Sequence, residues 1–311
     1  MKVSLIVPCY NEEEVINLLY KEIERILKSL ENNYEIIFVD DGSKDNTKQE
    51  IIKLSTQSQN VKYISFSRNF GKEAAMLAGM KYAQGDYIGI IDADLQHPPE
   101  LIIEMIKALD EDFDVAAARR VNRIGETKVK SFFSGAFYGI MNKLADIDLK
   151  EGAQDYRFMK RKVVESILSM PEYHRFSKGI FSWVGFKTKW FEHENIERAA
   201  GKTKWNFFGL VKYAVNGIIA FSVVPLRVSL VFGVVLSVVG YIYAIRIVIG
   251  TLLAKSAGTG TGYASIMSVL LIIGGTVLIC LGILGEYIAR VYIEVKNRPI
   301  FIIDETNITF S

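Results

Sequence analysis

Cysteine and histidine are scarce in this chain, which has two cysteines and three histidines among 311 residues. Cys9 and Cys280 stand far apart in the sequence, so we expect no disulfide and interpret both as packing residues in a reducing compartment. The histidines form no cluster with the spacing of zinc ligands. These absences argue against a disulfide-stabilised fold and against a histidine–cysteine zinc site.

A strong charge of one sign is also missing, because the formal net charge is only +2. The sequence has no concentrated basic tract with interleaved aromatic residues, so we expect no nucleic-acid partner. No secretory signal is evident, since Lys2 leads into a short strand-like run and then into three glutamates at 12–14. We therefore expect the large N-terminal domain to stay in the cytoplasm.

Charged residues are almost absent from two later stretches. Residues 229–249 contain one charge, Arg246, and residues 264–285 contain none. Each run has about 20 residues, which at about 1.5 Å per residue spans a hydrocarbon core of about 30 Å. Two buried helices of a soluble core are the alternative, but such helices usually keep a polar stripe. The pattern therefore predicts two transmembrane helices.

Basic residues flank these two runs on their outer ends, whereas the connecting loop 250–263 carries only Lys255. The positive-inside tendency then places both termini in the cytoplasm of a multi-pass protein of the inner (cytoplasmic) membrane. Residues 274, 275, 282 and 285 are glycines that provide small-residue faces, and a lone helical hairpin offers little interface, so we expect a homo-oligomer. The flanking basic residues are Lys202, Lys204, Lys212, Arg227, Arg290, Lys296 and Arg298.

The N-terminal part of the chain alternates short apolar runs with segments of helical period. The runs predict strands at 3–7, 35–39, 61–66, 87–91 and 115–118, and the segments predict helices at 13–30, 46–54, 72–83 and 99–109. This alternation predicts an α/β fold with a mostly parallel, Rossmann-like sheet and helices on both faces. Residues 119–198 are less regular and predict no topology.

The same patterns divide the chain into four parts: a globular domain at 1–200, a juxtamembrane segment at 201–228, the hairpin at 229–290 and a cytoplasmic tail at 291–311. Apolar residues in the juxtamembrane segment recur at helical spacing between 207 and 219, which predicts an amphipathic helix lying on the bilayer. An ordinary helix that faces the protein core is the alternative.

Two of the predicted strands end in pairs of acidic residues. Asp92 and Asp94 follow strand 87–91, and Asp40 and Asp41 follow strand 35–39. The carboxyl ends of parallel strands form the edge at which open α/β sheets bind ligands. Carboxylate oxygens on a short turn suit a hard divalent cation, which commonly links protein to phosphate. A solvated turn explains either pair alone, but the two together indicate a metal and nucleotide-diphosphate site.

Five motifs carry a resemblance to a known family. They are Val-Pro-Cys-Tyr-Asn-Glu at 7–12, Val-Asp-Asp-Gly-Ser at 39–43, Arg-Asn-Phe-Gly-Lys-Glu at 68–73, Asp-Ala-Asp-Leu-Gln-His-Pro-Pro at 92–99 and Gly-Lys-Thr-Lys-Trp at 201–205. With them the chain resembles the family 2 glycosyltransferases of the GT-A fold, and more narrowly the polyprenyl-phosphate glycosyltransferases. That group includes dolichol-phosphate mannosyltransferases, and the two-span tail is similar to the bacterial undecaprenyl-phosphate glucosyltransferases.

The resemblance implies a site for a nucleotide sugar and a divalent metal, Mg²⁺ or Mn²⁺. Asp94, assisted by Asp92, would hold the metal and offset charge on the departing diphosphate. Asp41 is the expected acceptor of a hydrogen bond from the base, whereas Asp40 has a capping or packing role as its alternative. The residues assigned to the nucleotide sugar are Pro8, Tyr10, Glu12, Asp41, Asp92, Ala93, Gln96, Lys202 and Lys204.

The resemblance implies Asp94 and Asp155 as catalytic residues, and Arg119 joins them because it directly follows a predicted strand, where a cation would steady a phosphate. In the family the acidic residue at the position of Asp155 faces the acceptor, and general base is its obvious role. A phosphomonoester, however, has a second pKa of about 6 and is already largely anionic at neutral pH. We therefore hypothesise that Asp155 orients the acceptor or holds Arg157.

Several basic residues have two interpretations. Arg68 and Lys72 contact donor phosphates, or they pair with Glu73 and other surface acids. Lys202 and Lys204 grip diphosphate or lipid phosphate, or they bind anionic lipid headgroups. Lys128 and Lys130 attract the acceptor phosphate, or they are ordinary charges that face the membrane. The residues assigned to the acceptor phosphate are Lys128, Lys130 and Arg157.

The sequence thus predicts an inverting, metal-dependent glycosyltransferase that moves one hexose from a nucleotide diphosphate to polyprenyl phosphate by a single in-line displacement. UDP-glucose and undecaprenyl phosphate are the expected substrates, with GDP-mannose or another UDP-sugar as the alternative donor. A non-catalytic membrane scaffold that retains the fold is the alternative class. The presence of both metal carboxylates, Asp92 and Asp94, argues against the scaffold.

Overall fold

The computed structural model describes residues 1–30, 33–121, 149–170, 172–193, 222–253 and 262–309, together with Gly139 and Ile219. The chain forms two compact units. The first unit consists of residues Met1–Ala220 and Arg298–Ser311, and the second of Phe221–Asn297. The predicted amphipathic helix of the juxtamembrane segment lies outside the described residues, apart from Ile219.

The first unit is built on a mixed sheet of eight strands in the order β7-β5-β6-β4-β1-β2-β3-β8. The four central strands β4, β1, β2 and β3 are parallel, β6 runs antiparallel to β4 and β5, and β8 runs antiparallel to β3. β7 is parallel to β5. The strands are β1 (Lys2–Cys9), β2 (Asn33–Asp40), β3 (Val61–Phe66), β4 (Tyr87–Ile90), β5 (Val115–Arg120), β6 (Ala153–Lys160), β7 (Thr188–His193) and β8 (Ile303–Thr306).

All five predicted strands are present, and the predicted α/β fold is confirmed. The sheet also contains three strands that the sequence did not predict, β6, β7 and β8. Six helices accompany the strands in the described residues of this unit. They are α1 (Ile16–Ser29), α2 (Thr47–Gln57), α3 (Lys72–Tyr82), α4 (Leu101–Asp110), α5 (Arg161–Leu168) and α6 (Ser177–Trp183).

Alternate residues of β1 pack against helices on opposite faces of the sheet, as the period of a buried strand requires. Leu5 belongs to a hydrophobic cluster that also contains Ile23 of α1 and Met105 of α4. The next residue, Ile6, contacts α3 so closely that a Cβ at Gly79 would overlap its side chain. Helices therefore cover both faces, as the sequence predicted.

The turns that follow three parallel strands each contain one residue in the left-handed backbone region. These residues are Asn11 after β1, Gly42 after β2 and Leu95 after β4, with φ of 53°, 65° and 55°. Gly42 is required for a second reason, because a Cβ there would overlap the backbone of Arg68. The turn after β2 and the loop after β3 are thus in direct contact at the carboxyl edge of the sheet.

The second unit consists of two long apolar helices, α7 (Val224–Leu253) and α8 (Gly262–Val295). Tyr287 donates a hydrogen bond to the carbonyl of Ser222 at 2.6 Å, and the Cys280 thiol lies 3.8 Å from the carbonyl of Ser229. The start of α7 therefore pairs with the later part of α8, which makes an antiparallel hairpin. Val224–Tyr243 and Ile272–Val295 are long and apolar enough to span a membrane.

The helices of this hairpin extend beyond the predicted runs, because α7 begins before residue 229 and α8 continues past residue 285. A Cβ at Gly274, Gly275, Gly282 or Gly285 would meet nothing within 4 Å, so these glycines are not used for packing inside the hairpin. The homo-oligomer remains a prediction. Both cysteines are free, as predicted, and Cys9 is buried at the end of β1.

Candidate active site

The acidic strand ends meet a lysine at the carboxyl edge of the sheet. Lys72, the first residue of α3, places its ammonium 2.7 Å from Oδ1 of Asp92 and 2.6 Å from Oδ2 of Asp155. Asp92 follows β4, and Asp155 lies on β6, which pairs with β4. The structure therefore brings together two of the predicted site residues and bridges them with one cation. We call Lys72, Asp92 and Asp155 the bridged cluster.

The charges of the bridged cluster stabilise one another. Burial alone would raise the pKa of Asp92, but Lys72 and then His97 hold that pKa well below its ordinary value. Burial opposes ionisation of Asp155 as well, and Lys72 followed by Lys178 lowers its pKa. For Lys72 burial acts to lower the pKa, yet the two carboxylates raise it. All three groups are therefore charged at neutral pH, and the cluster keeps a net charge of about −1 that attracts a further cation.

Lys72 lies at the centre of the bridged cluster but is not among the site residues predicted from the sequence. Donor phosphates were one interpretation of Lys72, and pairing with Glu73 and other surface acids was the alternative. Lys72 pairs with the acids Asp92 and Asp155, while Glu73 accepts hydrogen bonds from the backbone N–H and the hydroxyl of Ser177. Burial, with the nearby charge of Asp155, raises the pKa of Glu73 to about 7. The only sequence signal for Lys72 was its place in the motif at 68–73.

His97 supports Asp92 from the protein interior. The ring is 5% exposed, and its Nε2 lies 3.5 Å from Oδ2 of Asp92. It also contacts the rings of Tyr156 and His193, with centroids 5.3 Å and 5.6 Å away. Nδ1 of His97 has no hydrogen-bond partner within the part of the chain that the structure describes. The ring thus fixes the carboxylate on one side while Lys72 fixes it on the other.

Asp92 and Asp94 are the two carboxylates predicted to hold a metal, and both are half-buried at the end of β4. Oδ1 of Asp94 accepts the backbone N–H of Gln96 at 3.2 Å. In the described ranges no group of three His, Cys, Asp or Glu side chains forms a ready-made metal cage. Mg²⁺ usually takes only one or two carboxylates from the protein and completes its shell with phosphate oxygens and water. Asp94, next to the negatively charged cluster to which Asp92 belongs, therefore fits a cation that arrives with a diphosphate.

Asp41 ties the loop after β3 to the turn after β2. Its carboxylate accepts the backbone N–H of Phe70 at 2.6 Å and that of Gly71 at 2.9 Å. Burial raises the pKa of Asp41 to about 6, although these two hydrogen bonds act to lower it. Asp40 accepts hydrogen bonds from the backbone N–H of Ser43 and from the Ser65 hydroxyl. These bonds correspond to the capping or packing role that is the alternative for Asp40. Contact of Asp41 with the base stays a prediction.

Arg157 binds the backbone on either side of Asp155. The guanidinium donates to the backbone carbonyls of Gln154 and Asp155 and stacks 3.7 Å from the centre of the Phe181 ring. Only 3% of the residue is exposed, and burial lowers its pKa to about 10. The carboxylate of Asp155 forms an ion pair with Lys72, and its charge also acts to raise the pKa of Arg157. That Asp155 holds Arg157 stays a prediction. The assignment of Arg157 to the acceptor phosphate stays a prediction.

The other predicted residues take less central positions or lie outside the described residues. Arg119 is on β5, 37% exposed, and its Nε donates to the carbonyl of Glu151 at 2.9 Å. Pro8, Tyr10 and Glu12 are half-buried at the end of β1, while Ala93 is buried in the turn that leads to Gln96. The roles of these residues stay predictions. Those outside the described residues are Lys128, Lys130, Lys202 and Lys204.

Two family models match this chain and together cover both units. The model described as glycosyl transferase family 2 matches residues 4–168, which contain the whole bridged cluster. The model described as GtrB C-terminal hairpin matches residues 224–291, which contain most of α7 and α8.

Known proteins are similar to the chain over nearly its full length. The prophage bactoprenol glucosyl transferase homolog of Escherichia coli (strain K12) is 42% identical over 97% of this chain and 98% of the relative. The bactoprenol glucosyl transferase of Shigella phage SfII is 40% identical over 99% of both chains. Among solved structures, a glucosyl-3-phosphoglycerate synthase from Mycobacterium tuberculosis in complex with Mn²⁺ and UDP-glucose aligns with a TM-score of 0.45 and 17% identity, over 70% of this chain and 77% of that one.

Proposed function

We propose, since this chain belongs to glycosyl transferase family 2, that it transfers one glucose unit from UDP-glucose to a polyprenyl phosphate lipid. The observation that carries the proposal is the 40% identity to the bactoprenol glucosyl transferase of Shigella phage SfII over 99% of both chains. That similarity extends through the acidic site and through the apolar hairpin. A relative that matched the sugar-binding domain alone would say nothing about a lipid acceptor.

The donor binds at the carboxyl ends of β1, β2 and β4, beside the bridged cluster. Asp92 and Asp94 would hold Mg²⁺ or Mn²⁺ there, which would offset the negative charge of the departing diphosphate. The half-buried residues after β1, with Tyr10 and Glu12 among them, would contact the nucleoside. GDP-mannose and other UDP-sugars also carry a diphosphate that the same metal would bind, so the test compares several donors.

Lys72 and Asp155 position the acceptor in this proposal. The lipid monophosphate is already largely anionic at neutral pH, so Asp155 does not need to remove a proton. An ammonium has three N–H donors, and Asp92 and Asp155 use two of those on Lys72. The third donor faces a phosphate oxygen, while Asp155 keeps the ammonium in place. Holding donor and acceptor in line in one cleft supplies much of the rate acceleration, and a single displacement inverts the anomeric carbon.

The membrane arrangement follows from the course of the chain. Residues before α7 belong to the first unit, and residues after α8 return to the sheet of that unit as β8. Two spans bring a chain back to the membrane face from which it left. The basic residues at both outer ends then support a cytoplasmic active site in the inner membrane, with both termini on that side.

The test is a transfer assay on the purified full-length protein in lipid nanodiscs that contain undecaprenyl phosphate. UDP-glucose, UDP-galactose, UDP-N-acetylglucosamine and GDP-mannose are each supplied with Mg²⁺ or Mn²⁺, and the lipid product is identified by mass spectrometry. We expect one hexose added per lipid phosphate from UDP-glucose, and none when Asp94 is replaced by Asn. A different preferred donor would correct the sugar, and no lipid product from any donor would contradict the proposal.

A further inference from the structure

The last described residues, 298–309, join the sheet of the first unit after the chain leaves the hairpin. We call them the C-terminal segment. Their strand β8 runs antiparallel to β3 and pairs Thr306 with Ile64 and Ile303 with Phe66. From the sequence, this part of the chain is a cytoplasmic tail with no predicted role. The proposed reaction does not use it either.

Side chains fix the C-terminal segment in one register on β3. The backbone N–H of Tyr63 donates to Oδ1 of Asn307 at 2.8 Å, and the Thr306 hydroxyl donates to the Tyr63 carbonyl at 2.6 Å. The phenol of Tyr63 donates to Glu305 at 2.8 Å. A strand added only through its backbone would lack these contacts. The pairing is therefore specific to this sequence.

Aromatic rings connect the C-terminal segment to the loop at 67–71. Phe301 stacks on Phe66 with centroids 5.1 Å apart and ring planes 14° apart. Phe66 in turn meets Phe70 edge-on, with centroids 5.7 Å apart and planes at 90°. The backbone N–H of Ser67 also donates to the carbonyl of Ile302 at 3.1 Å. One side of the loop is thus held by the C-terminal segment.

The other side of the same loop leads into the candidate active site. Phe70 and Gly71 donate their backbone N–H groups to Asp41, and α3 begins at the next residue, Lys72. Residues 67–69 are exposed, and the contacts that restrain the loop come from Asp41, from the turn at Gly42 and from the aromatic rings. Asp41 and the aromatic rings therefore both contact the loop that leads into the first turn of α3, and this turn carries the ammonium of Lys72.

We propose that the C-terminal segment is a positioning element of the active site, which acts through Phe301 and Phe66 on the loop at 67–71 and so on Lys72. The inference rests on the proposed function for its activity readout, but the effect on the loop can be measured without substrate. The simpler alternative is that β8 only covers the edge of the sheet, as many edge strands are covered. That role requires backbone pairing but no particular ring at residue 301.

The test compares three variants of the full chain: Phe301→Ala, Phe301→Tyr and Ile302→Ala. Ile302 is the matched control, because it is the neighbouring apolar residue but its side chain is 54% exposed. Hydrogen exchange measured by mass spectrometry reports the amides of Phe70 and Gly71, and the same samples are assayed for glucosyl transfer. A peptide that covers β1 reports whether the whole sheet has been loosened.

We expect Phe301→Ala to speed exchange at Phe70 and Gly71 about tenfold with β1 unchanged, since one ring contact is lost. Turnover should fall about tenfold or more, because small displacements of an active-site group carry penalties up to about 10²-fold. Phe301→Tyr should restore both values, and Ile302→Ala should match the unaltered chain. If Phe301→Ala loosens β1 as well, Phe301→Leu takes its place in the comparison.

The proposal is wrong if Phe301→Ala and Ile302→Ala show the same exchange at Phe70 and Gly71, whatever their turnover. It is also wrong if the loop exchanges faster while turnover is unchanged. Failure of the proposed function is a separate result, because it would appear as no glucosyl transfer by the unaltered chain.

Discussion

Replacement of Lys72 by Met removes the charge that binds both Asp92 and Asp155. Methionine fills a similar volume but leaves the two carboxylates without the ammonium that links them. Their mutual repulsion then favours protonation of one of them or separation of β6 from the turn after β4. Either response disturbs the place where donor and acceptor meet in the proposed reaction.

The size of the effect follows from the two bonds of Lys72, at 2.6 Å and 2.7 Å. Charge-assisted hydrogen bonds contribute about 1.5–3 kcal/mol each when they are buried. The Lys72 side chain is 42% exposed, so solvent screening reduces the pair to about 3 kcal/mol in total. At about 1.4 kcal/mol per factor of ten, kcat/KM should fall about 10²-fold.

The assay measures kcat and KM for UDP-glucose and for the lipid phosphate in the unaltered chain, Lys72→Met, Lys72→Arg and Lys81→Met. Lys81 is the matched control, since it is an exposed lysine on the same helix whose ammonium lies over the ring of Tyr82. Lys72→Arg keeps the charge in a different geometry and should retain part of the activity. Lys81→Met should match the unaltered chain.

The pH dependence gives a second readout of the same change. Lys72 keeps the pKa of Asp155 below its ordinary value, so protonation of Asp155 should not limit the rate of the unaltered chain on the acid side of neutrality. Without Lys72 burial raises that pKa, and the rate of Lys72→Met should fall on the acid side of neutrality. If Lys72→Met had the kcat/KM and pH profile of Lys81→Met, the bridged cluster would have no role in catalysis.

Three further predictions concern positions around the cluster. Asp155→Asn should lower turnover without moving the pH–rate profile, whereas the loss of one limb of the profile would indicate a general base. Gly42→Ala should lower the free energy of unfolding by about 1–3 kcal/mol, because φ is 65° and the new Cβ would overlap Arg68. Thermal unfolding of Gly42→Ala beside Gly233→Ala, where nothing lies within 4 Å of the added Cβ, checks this, and equal unfolding temperatures would contradict it. The raised pKa of Glu73, about 7, means that the folded state binds the proton more tightly than the unfolded chain, so stability falls as the pH rises from the ordinary pKa of 4.5 to the raised one and is level above it. Between about pH 5 and about pH 7 the unfolding temperature should therefore fall more in the unaltered chain than in Glu73→Gln, and parallel curves would refute this.

The first five strands and four helices could be predicted because each carries a clear period of its own. β6 could not, because Gln154, Asp155 and Arg157 interrupt the apolar pattern of a strand that nevertheless lies between β4 and β5. β8 is a polar strand of four residues, Ile-Asp-Glu-Thr, whose structure depends on contacts with β3 more than 200 residues earlier in the chain. Contacts of that range leave no local pattern.

In the candidate site, too, residues marked by a local pattern could be predicted, whereas contacts between distant parts of the chain could not. Acidic residues at strand ends identified Asp92, Asp94 and the edge of the sheet on which they lie. The bridge to Asp155 depends on the antiparallel pairing of β6 with β4, which could not be predicted. Lys72 was therefore assigned to donor phosphates or to Glu73 and other surface acids, and neither Asp92 nor Asp155 was named as its partner. Asp41 shows a related limit, because its two backbone partners belong to a loop that packs against it only in the folded sheet.

The most direct test of the account follows radiolabelled glucose from UDP-glucose in nanodiscs that contain either undecaprenyl phosphate or undecaprenol, with the unaltered chain and with Asp94→Asn. We predict that label enters the lipid only with the unaltered chain and undecaprenyl phosphate, and that a chelator stops the transfer until Mg²⁺ or Mn²⁺ is returned. Equal labelling of undecaprenol, or full transfer in excess chelator, would contradict a metal-assisted attack by a lipid phosphate at this edge of the sheet.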